Sequence, residues 1–177
     1  MKNYTAIAKK IISLTEKDQK MRKKWAESGF NHSKYDSTVD IENKEKIEAL
    51  INEVGWPTAS MIGGKASDCL WVLIQHAGFD ILFQKKMLAL MKNVPRGEID
   101  QKHIAKLEDR ILIAEGKPQI YGTSFKIDLK TKKLSVDPIE DIENIDKRRL
   151  KMGMDSFEAQ KKRAFDGYKK FKMGDGK

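Results

Sequence analysis

Between Tyr4 and Glu27, the apolar residues Ile7, Ile11, Leu14, Met21 and Trp25 return at intervals of three, four and seven. One face of a continuous helix is therefore apolar, while Lys9, Lys10, Lys17 and Lys24 lie largely elsewhere. The same rhythm returns in Ile41, Ile47, Leu50, Ile51 and Val54, in Phe83, Met87, Leu90 and Met91, and in Ile99, Ile104, Leu107 and Ile111. A chain that repeats this period has to bury helix faces against one another, which restricts it to a mainly α architecture. The punctuation agrees. Ser28-Gly29 ends the first helix, Gly55 and Pro57 the second, and Gly63-Gly64 permits a bend. Gly78 closes the next, Pro95-Arg96-Gly97 makes a turn, and Gly116 supplies a left-handed stop just before Pro118.

The apolar run Cys69 to Ile74 predicts a short helix over about 65–76, buried on all sides and central in the core, with Leu70, Trp71, Leu73 and Ile74 inside; a buried strand is the competing reading. Asp80 is placed to cap the helix that follows. The helical period lapses only after Pro118. Gln119 to Tyr121, Phe125 to Leu129 and Lys133 to Val136 have strand composition, and Asp128-Leu-Lys-Thr-Lys reads as a hairpin connection. Residues 138–146 are acidic and read as helical in their second half, and a last helix is expected over 156–173. With 177 residues, 40% of them hydrophobic, the chain can bury one sizeable core. The expectation is a single compact helical domain, 1–177, with a small β-hairpin in its C-terminal half.

Charge is distributed unevenly. Residues 1–24 hold eight Lys/Arg against two Asp/Glu, residues 147–177 eleven against four, and the stretch between sixteen against twenty, within an overall +9. Basic helices at 4–27 and 156–173 thus flank an acidic centre. Such ends can meet an acidic protein or nucleic acid, or can simply be solvated helix faces. Phe157, Phe165, Tyr168 and Phe171 fall at spacings suited to helix packing rather than to a base-stacking platform, so nucleic-acid binding is the less favoured reading. The longest apolar run is far short of the roughly 20 residues that span a bilayer. No signal-peptide core follows Met1, and no membrane partner is expected; the chain reads as cytoplasmic. Cys69 is the only cysteine, and it reads as a small buried hydrophobe. The three histidines, His32, His76 and His103, lack metal-ligand spacing, and neither a metal nor another cofactor is expected.

Several polar residues sit beside the core-forming segments, where they are costly to bury without partners. Asp18 and Arg22, four apart with the acid first, read as an exposed helix pair, and Gln19 is rotated by about 100° from them. Trp56 between Gly55 and Pro57 reads as a plug at a rigid turn. His76, preceded by Gln75 at the end of the apolar helix, either caps the last carbonyls or acts as a general base, since imidazole exchanges protons near neutral pH. His32 and His103 read as surface residues. Asp109 and Arg110 diverge on their helix, so Asp109 can orient His76 while Arg110 holds an anion in its fork, or either can form a salt bridge to another helix. In Gln119-Ile120-Tyr121-Gly122-Thr123, Tyr121 offers a phenol, Gly122 allows close backbone approach, and Thr123 adds a hydroxyl and an amide; a β-turn is the plain alternative.

The ordered set Asp18-Gln19-x-x-Arg22, Asp40-x-x-Asn43, Gly55-Trp56-Pro57, Gln75-His76, Gln84, Asp109-Arg110, Gln119-x-Tyr121-Gly122-Thr123 and Arg149 resembles an uncharacterised, mainly bacterial family of domains of unknown function. The likeness spans about 18–153. It implies a shared fold and a shared site and supplies no reaction. That family usually follows Tyr-Gly-Thr with Gln, where this chain has Ser124. Two functional classes stay open. One is a domain binding a small polar or anionic ligand through Gln75, Arg110, Gln119, Tyr121, Thr123, Asp18, Gln19 and Arg22, extending to a metal-independent hydrolase with His76 as general base and Asp109 as its catalytic partner. The other is a non-catalytic helical module that sequesters a ligand or docks a protein.

Overall fold

The computed structural model describes residues 2–128, 131 and 133–174, without the side chains of 170–174. It is mainly α with one small antiparallel hairpin in the C-terminal half, and its residues group into two compact units, Met1–Asp100 and Gln101–Lys177.

The first unit holds α1 (Tyr4–Glu27), α2 (Ser37–Val54), the single turn α3 (Ala59–Ile62), α4 (Gly64–His76) and α5 (Ile81–Lys92). Side-chain caps start three of them. Asn3 accepts from the amide of Ala6, Asp36 from Thr38 and Asp80 from Phe83, satisfying donors that a helix start leaves open. Gly55 and Gly63, both at positive φ, end α2 and α3. The core is built from Ile11, Ile47, Leu50, Leu70, Ile74, Met87 and Met91. The run 69–74 is helical, and only one side of it is buried: Leu70, Leu73 and Ile74 are inside, while Trp71 and Val72, turned away by about 100° or more, are half-buried. Cys69, expected inside, is half-buried as well. Ile41, expected in the buried stripe of α2, is 44% exposed, because that stripe runs through Val39, Asp40, Asn43, Ile47, Leu50 and Ile51.

The second unit holds α6 (Gln101–Ala114), β1 (Phe125–Asp128), β2 (Lys133–Val136), α7 (Ile145–Lys151) and α8 (Phe157–Gly174). The hairpin pairs Phe125 with Val136 and Asp128 with Lys133; residues 129, 130 and 132 of its expected connection lie outside the described residues. Gln119, read as the start of a strand, makes only an isolated parallel bridge to Ile139. A 3-10 turn at Ile142–Asn144 leads into α7, and the Asp146 carboxylate accepts from the amide of Phe157 to start α8. His103, expected at the surface, is buried on the inner face of α6 with Ile104, Leu107 and Ile111.

Candidate functional site

In the first unit a polar centre forms where α1, α2 and α4 meet. Asp18 is fully buried on α1, and its two carboxylate oxygens each lie 3.0 Å from Nδ1 of His76, the last residue of α4. Gln19, exposed on the next position, donates to Oδ2 at 2.8 Å, and Arg22 Nε donates to Oδ1 at 3.2 Å. The Arg22 fork continues outward, with Nη1 donating to the Tyr35 hydroxyl at 3.1 Å and Nη2 to Asp40 Oδ1 at 2.7 Å. Tyr35 in turn donates a hydrogen bond to Asp40 Oδ2, and its ring packs edge-on to Trp25. The exposed helix pair expected from Asp18 and Arg22 is therefore part of a six-residue network centred on a buried carboxylate. The reason is phase: Ile11, Thr15, Asp18 and Arg22 lie along one helical row, so the pair continues the core face.

Burial alone would push the Asp18 carboxyl up, but the hydrogen bond and charge of His76, the charge of Arg22 and the bond from Gln19 outweigh it and hold Asp18 below the usual carboxylate range. Burial would likewise lower Arg22, and Tyr35 together with the charges of Asp18 and Asp40 hold it above its ordinary value. Tyr35 is pushed up by burial and by its bond to Asp40.

The imidazole has a partner in either tautomer. With a proton on Nδ1 it donates to Asp18; without one it accepts from Arg22 Nε, 3.0 Å away. Its Nε2 has no hydrogen-bond partner among the described residues, and the side chain is 20% exposed while Asp18 behind it is fully covered. His76 is not the cap of α4. Gln84 Nε2 takes that role, donating to the carbonyls of Ile74 and Gln75 at 3.1 and 3.2 Å.

The remaining sequence-predicted residues belong to the second unit, where they build a loop around a buried carboxylate. Asp109 accepts from the amides of Ile120 (2.7 Å), Tyr121 (3.0 Å) and Thr123 (2.9 Å) and from the Thr123 hydroxyl (2.8 Å). Burial pushes its carboxyl above the usual range against the pull of these bonds. Its oxygens are engaged inside its own loop, and the carboxylate that meets His76 is Asp18. Gln119 is fully buried, with Nε2 donating to the carbonyls of Ser124 and Asp137, Oε1 accepting from the Ser124 amide, and its backbone paired to Pro138 and Glu140. Tyr121 gives its carbonyl to Arg149 Nη1 at 2.6 Å, and its phenol, 3.5 Å from Glu108, is pushed up to about 12, first by burial and then by the charges of Glu108 and Asp109. Arg149, fully buried, also donates to the carbonyl and carboxylate of Asp155. Arg110 is exposed and has no partner among the described residues. Ser124, standing where the resembled family has Gln, donates its hydroxyl to Asp137 at 2.8 Å.

Tyr35, Asp40, Asn43, Gln84 and Arg149 were not singled out as site residues from sequence. A usable signal was present for four of them: Asp40 and Asn43 sit in the row 40, 43, 47, 50, Gln84 in the row 84, 87, 91, and Arg149 four after Ile145, all otherwise buried and apolar. Among the described residues, no group of three His, Cys, Asp or Glu is arranged to hold a metal ion, and no helix is long and apolar enough to cross a membrane. Comparison with curated proteins and with solved structures finds no match. A family profile does match, over residues 5–172, and the chain belongs to that family of unknown function, DUF6624.

Proposed function

We propose that the first unit carries a histidine–carboxylate proton-transfer site for a small polar or anionic ligand, with hydrolysis as its least demanding chemistry. One observation carries this reading: a fully buried carboxylate fixes His76 through Nδ1 and leaves Nε2 without a partner on a partly exposed ring. That arrangement makes Nε2 the basic atom, able to take a proton from water or a substrate hydroxyl, while Asp18 stabilises the imidazolium that results. His76, then Arg22 and Gln19, hold the Asp18 carboxyl below its usual range, and Arg22 retains two N–H groups without acceptors among the described residues, enough to contact an anionic group. Gln75 stands beside His76, half-buried, with no side-chain hydrogen bond among the described residues.

The test is a screen of phosphoester, carboxyl-ester and amide substrates on wild type, His76→Gln and Asp18→Asn, each with its melting curve. The expected result is activity that His76→Gln abolishes while the melting point moves by only a few degrees. Should His76→Gln melt far earlier while its folded fraction still turns over substrate, the network is architecture and the reading fails.

A non-catalytic second reading has its own support. In the second unit a cleft of about 480 Å³ is lined by Lys102, Lys106, Gln160 and Arg163, with Asp155 its one carboxylate. This surface suits an acidic protein or nucleic acid meeting the basic C-terminal helix.

A further inference from the structure

Two amides lie buried in the first unit without the partners their chemistry calls for. Asn43 is 2% exposed, and among the described residues neither its Nδ2 nor its Oδ1 has a hydrogen-bond partner. Gln84 is fully buried, uses Nε2 on the end of α4, and leaves Oε1 unmatched among the described residues. A buried polar group without a partner lowers stability; at Asn43, beside Ile47 and Leu50, an apolar side chain would avoid the penalty, whereas at Gln84 it would also release the two carbonyls that Nε2 holds.

Hydrogen bonds fix the level at which these amides lie. Arg22 meets Asp40, Lys17 meets Glu42 and Lys2 meets the Val54 carbonyl, so α1 and α2 run antiparallel, and Asn43, one turn beyond Asp40 on the same face, comes level with Asp18. Thr15 bonds the Cys69 carbonyl and Asp18 meets His76, so α4 runs alongside α1 in the same direction. Gln84 clamps the last turn of α4 directly before His76, and Lys44, next to Asn43, pairs at 3.1 Å with Asp80, the cap of the helix that carries Gln84. Both amides thus lie on helices packed beside the last turns of α4, which ends in His76, whose Nε2 also lacks a partner among the described residues.

We propose that Asn43 and Gln84 form the inner wall of the His76 site and recognise a neutral carboxamide or ureido group. This rests on the reading of His76 given above and narrows its ligand. The unmatched set on the two amides and the imidazole contains three acceptors, Asn43 Oδ1, Gln84 Oε1 and His76 Nε2 in its Nδ1–H tautomer, against one donor group, Asn43 Nδ2, while the two remaining Arg22 N–H groups lie on the fork that continues outward to Tyr35 and Asp40. Its complement carries several N–H donors and one carbonyl acceptor. A carboxylate or phosphate presents acceptors only, which the outer Arg22 N–H groups can meet but which at the inner wall would face Asn43 Oδ1, Gln84 Oε1 and the Asp18 charge unfavourably.

The experiment is an NMR titration of the full chain at constant pH with acetamide and, separately, acetate, following the Asn43 side-chain NH₂ pair and the His76 Cε1–H. Acetamide is expected to shift both signals saturably, with acetate at equal concentration shifting neither. Asn43→Leu is expected to melt higher than wild type, because it removes an unpaired polar group, and to lose the His76 response to acetamide. If His76 responds equally in wild type and Asn43→Leu, the role of Asn43 is overturned and the His76 site stands. An acetate response as large as that of acetamide overturns the ligand class. Silence of His76 toward both probes removes this inference together with the reading beneath it.

Discussion

Gly122 tests whether the Tyr-Gly-Thr loop is architecture or a ligand-facing element. Its φ of +69° lies where an L side chain is strained, and a Cβ built there would stand 2.6 and 2.7 Å from two ring carbons of Phe157 and 2.9 Å from Cδ1 of Ile145. The close approach that glycine permits is therefore made by the buried start of α8 and by α7. For Gly122→Ala the left-handed backbone costs about 1–2 kcal/mol. Overpacking against a ring that is 5% exposed adds roughly 1–3 kcal/mol. The less flexible unfolded chain returns about 0.4–1 kcal/mol. The net loss is about 2–4 kcal/mol, or roughly 5–15 °C in melting point for a chain of this size. Gly116→Ala is the control: φ is +73° there, with nothing within 4 Å of the added carbon, so only the backbone strain remains, about 1 kcal/mol after the same offset. Urea unfolding followed by circular dichroism at 222 nm measures both, and Gly122→Ala combined with Phe157→Leu is expected to recover part of the difference. Equal losses at the two glycines would refute the contact argument. A Gly122→Ala variant of unchanged stability that no longer binds ligand would refute the architectural reading itself.

The two buried carboxylates are expected to act on stability with opposite signs. Asp18 is held below 3.8, so its contribution is present above that value and is lost as pH falls through its lowered folded value; urea midpoints taken across the acid range should lose that limb in Asp18→Asn. Asp109 is held above 3.8, so its contribution is fully present below 3.8 and declines as pH rises through its raised folded value; Asp109→Asn should remove that decline, and an unaltered slope would count against the burial argument.

The helices were legible because their signals are local. Apolar period, side-chain caps at Asp36 and Asp80, and left-handed glycines at 55 and 116 all act within a turn or two of the residue that carries them. The hairpin showed for the same reason. The polar centre was only half legible. His76 and Gln75 stood out as polar residues closing an apolar run, but the partner of His76 depends on which helix packs at its level, and sequence adjacency favoured Asp109-Arg110 over an Asp–Arg pair that resembled an ordinary surface bridge. What separates Asp18 from such a bridge is its row: Ile11, Thr15, Asp18 and Arg22 continue the core face, as Asp40 and Asn43 continue that of Ile47 and Leu50. A polar residue in phase with a buried apolar row needs a tertiary partner, whereas one out of phase does not. Phase, rather than residue type, also separates His103, in line with Leu107 and Ile111 and buried, from His32, in a polar turn and exposed.

The manner in which each carboxylate is held bears on which can serve chemistry. Asp109 is bound by three backbone amides and a hydroxyl of one loop, so any change in its charge or position reorganises residues 120–123 and, through the Tyr121 carbonyl, the buried Arg149. Such a group resists movement, and burial disfavours its ionised form. Asp18 is bound only by side chains, those of His76, Arg22 and Gln19, and each of these can adjust when a proton moves. Arg22 already sits within reach of both Nδ1 and Oδ1, ready to exchange one acceptor for the other as the imidazole changes tautomer. A carboxylate kept ionised by charge and free of the backbone can stabilise an imidazolium without disturbing the fold. That physical difference, more than proximity to any motif, favours Asp18 over Asp109 as the partner of His76 in the proposed chemistry, with Asp109 bound into its own loop.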